Sequence, residues 1–125
     1  MARAALHADQ PVAPDRLVER TPLALCDAST VRAEDLFDSE VRGGLGDPNR
    51  ASLWGYNLAH NPAQRWYYAP RMRPEEIFAF KLFDSDASRV QLTAHSAFED
   101  PTSPPDAPPR QSIELRTISF LPEGA

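Results

Sequence analysis

The chain has 125 residues, 42% of them hydrophobic and 25% charged, which suits one small globular domain. A formal net charge of −5 and the lack of any basic stripe exclude a nucleic-acid footprint. No apolar run approaches the roughly 20 residues of a membrane span, and no secretory h-region follows the start. A single cysteine, Cys26, rules out an internal disulfide, so the expected setting is cytoplasmic.

Thirteen prolines against five glycines cut the chain into short pieces, because proline is excluded from helix interiors and central strands. The expected class is therefore mainly β, with one or two short helices. Residues 1–20 carry little pattern, and Pro11 and Pro14 break any long element. They are expected to form a weakly structured tail, with the folded domain over residues 21–125. Inside the tail lies His7-Ala8-Asp9. In an extended chain positions i and i+2 point to one side, so this imidazole and carboxylate can meet one metal.

Thr21 to Cys26 is a short apolar run that ends in a turn at Asp27-Ala28-Ser29. Ser29 or Thr30 is placed to cap a short helix over Val31 to Phe37, with Glu34 and Asp35 in its early turns. The glycines of residues 42–49 form a loop without the spacing of a phosphate-binding signature. Ser52 to Leu58 alternates Trp54, Tyr56 and Leu58 and reads as a strand. His60 falls in a turn and is expected at the surface. Arg65 to Ala69 is strand-prone, with Trp66 and Tyr68 facing one way and Arg65 and Tyr67 the other. Ile77 to Phe83 is apolar on both faces and is expected as a central strand. Arg89 to His95 reads as another strand. The five prolines of residues 101–109 make a stiff connector. The final strand, Arg110 to Phe120, puts Arg110, Ser112, Glu114 and Arg116 on one face and Ile113 and Leu115 on the other. The polar face belongs either to solvent or to a ligand cavity. His95, which the proline connector brings back beside this strand, favours the cavity.

A lone His95 reads first as a packed or surface histidine, and His7-Ala8-Asp9 as part of a free tail. Together with Arg110 and Ser112, these residue types also suit one chemistry. A non-haem ferrous site takes two imidazoles and one carboxylate and leaves the opposite positions open. The far carboxylate of a bound 2-oxoglutarate then needs a guanidinium, which binds it through two parallel bonds. A serine two residues along the strand adds a third bond from the same side. His7, Asp9 and His95 are the candidate metal ligands. Arg110 and Ser112 are the candidate cosubstrate clamp.

Several stretches resemble the hydroxylase/desaturase family, whose members include a cephem 7α-methoxylase subunit, an aspergillic-acid oxygenase and a gibberellin desaturase. They are Arg20-Thr21-Pro22-Leu23-Ala24-Leu25-Cys26-Asp27, Arg65-Trp66-Tyr67-Tyr68-Ala69-Pro70-Arg71-Met72, Phe80-Lys81-Leu82-Phe83-Asp84-Ser85, His95-Ser96-Ala97-Phe98-Glu99-Asp100-Pro101 and Pro109-Arg110-Gln111-Ser112-Ile113-Glu114-Leu115-Arg116. The resemblance implies a partial double-stranded β-helix of the jelly-roll or cupin-like kind, corresponding to the C-terminal half of the family's members. It implies Fe(II) and 2-oxoglutarate as cofactors and a small secondary metabolite as substrate. By position, His95 matches the family's distal ligand, Arg110 and Ser112 its clamp, and Arg116 a second arginine that serves as a fallback clamp. Tyr67 matches an aromatic position able to line the pocket. His7-Ala8-Asp9-Gln10 resembles the family's His-x-Asp-Gln but stands much nearer to Pro22 than in the family. Gln64 and Gln111 replace a family histidine and glutamate.

Three readings follow. One is a truncated Fe(II)/2-oxoglutarate-dependent hydroxylase or desaturase. Another is a non-catalytic remnant that binds a small molecule or another subunit. The third is a truncated product with no independent role. Open sheet edges would be covered by a second copy or a partner subunit. Neither a nucleic acid nor a membrane is expected as a partner.

Overall fold

The computed structural model describes the backbone over residues 5–41 and 53–121, and the side chains over residues 8–40 and 54–120. The glycine loop of residues 42–49 lies outside the described residues. Nine strands are present among those described: β1 (Ala5–Pro14), β2 (Leu23–Cys26), β3 (Leu36–Val41), β4 (Leu53–Leu58), β5 (Trp66–Tyr68), β6 (Phe78–Asp84), β7 (His95–Ala97), β8 (Ser112–Glu114) and β9 (Thr117–Leu121). Two single turns of 3-10 helix, Ala28–Thr30 and Ala33–Asp35, are the helical content among the described residues. The fold is thus mainly β, as the prolines require. The chain divides into two compact units, residues 1–29 with 65–125, and residues 30–64.

The first unit contains two antiparallel sheets. In one, β1 lies between β6 on one side and β8 and β9 on the other. In the second, β2 lies between β5 and β7. The core joins them. Val12 of β1 and Phe80 of β6 bury against Leu23 of β2, with Leu25, Phe78 and Leu82 packed around them. Burying a side chain such as Phe80 contributes about 2–3 kcal/mol. Along β6 the alternation Phe78, Phe80, Leu82 turns one apolar row into this core.

Three expectations change here. Residues 5–14, read above as part of a weakly structured tail, form the longest strand, bonded on both flanks. Their pattern misleads because β1 buries a polar residue, Gln10, beside Val12 and Pro14. Pro11 is tolerated because an antiparallel residue points its N–H and C=O the same way. The Pro11 carbonyl accepts from the Leu115 N–H at 3.0 Å, so its missing donor falls in the gap between β8 and β9. The last strand is broken at that gap rather than running unbroken from Arg110 to Phe120. Second, the run 77–83 is not central: β6 pairs with β1 alone among the described residues. Its second apolar row is left outward, with Phe83 46% exposed. Third, Arg89 to His95 is not a strand. The Thr93 N–H donates to Lys81 of the first sheet, and the Ala94 carbonyl accepts from Cys26 of the second. This segment crosses between sheets, and strand pairing starts only at His95.

The second unit is a hairpin of β3 and β4, in register from Leu36 opposite Leu58 to Val41 opposite Leu53. The helix expected over Val31 to Phe37 is replaced by one 3-10 turn running into β3. The cause is Asp35. Its carboxylate accepts from the Arg32 N–H (3.2 Å), Asn61 Nδ2 (3.2 Å) and Gln64 Nε2 (3.4 Å), and its carbonyl accepts from the Ala59 N–H (2.8 Å). These bonds tie the turn to the far end of β4 instead of to a following helical turn. No helix among the described residues is long and apolar enough to cross a membrane.

Candidate active site

His95 and Tyr67 both lie opposite Leu25, on the side of β2 that carries Leu23 into the core. The His95 ring packs against Phe80, with centroids 4.5 Å apart and planes tilted by 47°. Its Nδ1 is 3.0 Å from the Thr93 carbonyl. A carbonyl can only accept, so Nδ1 is the donor in this contact, and in the neutral ring that leaves Nε2 with the lone pair a metal ligand needs. Tyr67 is 59% exposed, so its ring is available to a ligand.

On the facing sheet, Ser112 lies opposite Pro14 and Glu114 opposite Val12. Both partners are buried, so the polar row of the last strand lies on the core side of the sheet; Arg110 and Ser112 are half-buried there, while Glu114 and Arg116 are exposed. Arg110 is half-buried and doubly held. One terminal nitrogen donates to Ser112 Oγ, and Nε donates to the Thr21 carbonyl at 3.3 Å. Thr21 has φ 56°, a left-handed conformation that a β-branched residue rarely adopts. Among the described residues Arg110 has no carboxylate partner. A guanidinium aimed this way and left without an acid is a ready receptor for a ligand carboxylate.

Gln10, only 2% exposed, joins β1 to this row. Its Nε2 donates to Glu114 at 3.1 Å, and its Oε1 accepts from Arg116 Nε at 3.4 Å. Sequence reading did not single out Gln10, although its place directly after Asp9 in the His-x-Asp-Gln match marked it. It also missed Thr21, whose role comes from a backbone angle that no residue type there announces.

His7 and Asp9 sit on β1, not on a tail. His7 is in register with Asp84 and Ser119, and Asp9 with Lys81 and Thr117, either side of a register shift at Ala8/Asp9. The Asp9 carboxylate has no hydrogen bond or ion pair among the described residues, and the His7 side chain lies outside them. Among the described residues no three His, Cys, Asp or Glu groups converge at metal-holding distances. An oriented imidazole and an uncommitted carboxylate on a core strand still suit ferrous iron in ligand type. His60 is exposed, as expected.

Other polar clusters are structural. Lys81 pairs with the buried Asp84. Asp27 accepts from Ser29 Oγ (2.6 Å), the Ser29 N–H (2.9 Å) and Arg65 (2.8 Å), and these bonds, Ser29's first, hold its carboxyl below the usual range. Thr102 does the same for Asp100 at the head of the proline connector, with Tyr68 adding a long bond. A cleft of about 420 Å³ lined by Ala24, Trp66, Tyr68, Ser96, Ala97 and Phe98 is apolar. Ala24, Trp66 and Tyr68 alternate with Leu25 and Tyr67, so it opens on the far face of the β2 sheet, away from His95.

The family described as an oxidoreductase/YMDC permease-like domain matches residues 10–120. The chain belongs to that family. It is 36% identical over 117 residues to hydroxylase/desaturase efuI of Hormonema carpetanum, covering 86% of this chain and 38% of that protein. It is 34% identical over 99 residues to the Fe(II)/2-oxoglutarate-dependent dioxygenase nvfI of Aspergillus novofumigatus, covering 79% of this chain and 34% of that protein. Hydroxylase/desaturase asaB of Aspergillus flavus is 32% identical over 122 residues, with 86% of this chain and 52% of that protein covered. The solved structure of the iron and alpha-ketoglutarate-dependent endoperoxidase NvfI superposes with a TM-score of 0.80 at 32% identity, over 94% of this chain and 43% of that one. The hydroxylase/desaturase resemblance read from the sequence therefore holds, as does the partial jelly-roll fold. The chain spans about a third to a half of the length of these relatives.

Proposed function

We propose that the core-side face of these two sheets is the C-terminal part of a ferrous, 2-oxoglutarate-dependent hydroxylase or desaturase site for a small secondary metabolite. The observation that carries this reading is Arg110: half-buried, held by Ser112 and the Thr21 carbonyl, and without an acidic partner among the described residues. In this reading, ferrous iron with its bound oxo-acid would activate dioxygen, which is the oxidant. The chain's own groups bind and orient. His95 presents Nε2, because its other nitrogen is committed to Thr93. Asp9 and His7 offer a carboxylate and a second imidazole from β1. Arg110 receives the distal carboxylate of 2-oxoglutarate, with the Ser112 hydroxyl donating from the same side. Tyr67 lines the approach beside Leu25. The activities named for these relatives support the reading.

Anaerobic mixing of the 125-residue chain with Fe(II) and 2-oxoglutarate tests it. The expected result is a visible metal-to-ligand charge-transfer band that His95→Ala removes. No band at saturating iron overturns the oxygenase reading. Binding of 2-oxoglutarate without a band would instead identify a small-molecule-binding module. A band that survives His95→Ala overturns the ligand assignment.

A further inference from the structure

We propose that Gln10 is a positioning residue for the carboxylate-binding face: its amide stands between Glu114 and Arg116 and prevents them from closing into an ion pair. The inference rests on the function proposed above. Its first support is burial: a glutamine 2% exposed on a core strand must have both ends of its amide satisfied. Both are, and by groups of opposite charge. The amide nitrogen donates to the Glu114 carboxylate (3.1 Å), and the amide oxygen accepts from Arg116 Nε (3.4 Å). Only a side chain with a donor and an acceptor at its tip does both at once.

The second support is what the pair does not do. Glu114 and Arg116 are two positions apart, so on an extended strand they point to the same side about 7 Å apart, within reach of each other. No ion pair joins them among the described residues; each ends on Gln10 instead. Among the described residues, the row Arg110, Ser112, Glu114, Arg116 therefore holds two guanidiniums and one carboxylate, which is drawn toward β1. A neutral amide satisfies Arg116 without cancelling its charge, so the charge stays on the face that receives a dicarboxylate. Removing the amide frees Glu114 to neutralise Arg116.

The test is calorimetric titration of the 125-residue chain with 2-oxoglutarate, anaerobically with Fe(II), at low and moderate salt. Gln10→Leu is expected to weaken binding roughly five- to tenfold, the scale of one charge-assisted contact. Adding Glu114→Gln to Gln10→Leu is expected to restore most of that affinity, because no carboxylate is left to close on Arg116. Both variants should lose the same amount of thermal stability, so the rescue cannot come from refolding. If Gln10→Leu does not fold, Gln10→Glu replaces it: a carboxylate against Arg116 should weaken binding, and more strongly at low salt. A wild-type chain that binds no 2-oxoglutarate overturns the function and this role together. Wild-type binding that Gln10→Leu leaves unchanged, or that Glu114→Gln fails to restore, overturns the role of Gln10 alone. A Gln10→Glu chain that binds as tightly as wild type does the same.

Discussion

The two units of this chain are held together by different physics. In residues 1–29 with 65–125, side chains from two sheets meet in an apolar cluster of Val12, Leu23 and Phe80, and polar groups are positioned on its margin. Among the described residues of 30–64 no apolar side chain is buried. Trp54 is 73% exposed, Tyr56 58% and Phe37 55%, and the buried member is a carboxylate, Asp35. A two-stranded hairpin by itself is marginal in water. Its order here depends on four hydrogen-bond donors converging on one residue. The candidate site lies wholly in the unit with the apolar core, where His95 leans on Phe80 and Arg110 on the strand row beside β1. Rigid apolar support and polar chemistry therefore go together, and the hairpin contributes none of the proposed ligands.

The chain's two tryptophans report on the units separately, since Trp54 is in one and Trp66 in the other. The largest expected effect is Phe80→Ala. It should cost the first unit about 3 kcal/mol or more by denaturant unfolding, as a buried phenylalanine leaves a cavity. It should also weaken any iron-dependent band by releasing His95, while Trp54 fluorescence stays put. Coincident loss of both tryptophan signals would contradict the separation. Next, Asp35→Ala should unfold the hairpin, read as loss of the β3–β4 amide protection in hydrogen exchange, with β1 and β2 still protected.

Acid sharpens the same contrast. Burial pushes the Asp35 carboxyl up, but the Asn61, Arg32 and Gln64 bonds outweigh it and hold it below its ordinary value. A depressed folded value means this stabilisation is present at neutral pH and is lost as pH falls below the ordinary carboxylate range. The hairpin should therefore lose protection on acidification, and Asp35→Asn should flatten that response. Asp27, Asp86 and Asp100 are held low as well, Asp27 and Asp86 chiefly by serine hydroxyls and Asp100 by the Thr102 hydroxyl, so the first unit also weakens in acid. Its response should survive Asp35→Asn unchanged.

Smaller still, Thr21→Gly should raise the melting temperature of the first unit by relieving its left-handed angle, worth about 1 kcal/mol. Trp54→Ser should change stability by less than about 0.5 kcal/mol, as a largely exposed side chain.

Much of the first unit was legible because alternation and aromatic content survive in short strands. The faces of Trp66, Tyr67 and Tyr68 followed from period two alone. So did the shared face of Ser112 and Glu114. Part of what was not legible shares one cause: polar residues turned inward. β1 reads as a tail because Asp9, Gln10, Pro11 and Pro14 look like loop residues, and only the register with β6, β8 and β9 reveals a central strand. The hairpin start reads as a helix because Glu34 and Asp35 suit a first turn. The competing bonds come from Asn61 and Gln64, far along the chain. The segment before His95 reads as a strand because crossing between sheets leaves no mark in residue type. The left-handed Thr21 behind Arg110 leaves none either.

The central claim is that Arg110 is the carboxylate receptor of an iron-dependent site. The measurement that tests it most directly is anaerobic calorimetry of the Fe(II)-loaded chain with 2-oxoglutarate, comparing wild type with Arg110→Met. The account predicts saturable binding in the wild type and a loss of at least about tenfold in the variant, because removing one partner of a desolvated charge pair is costly. Equal affinity in the two proteins would contradict it.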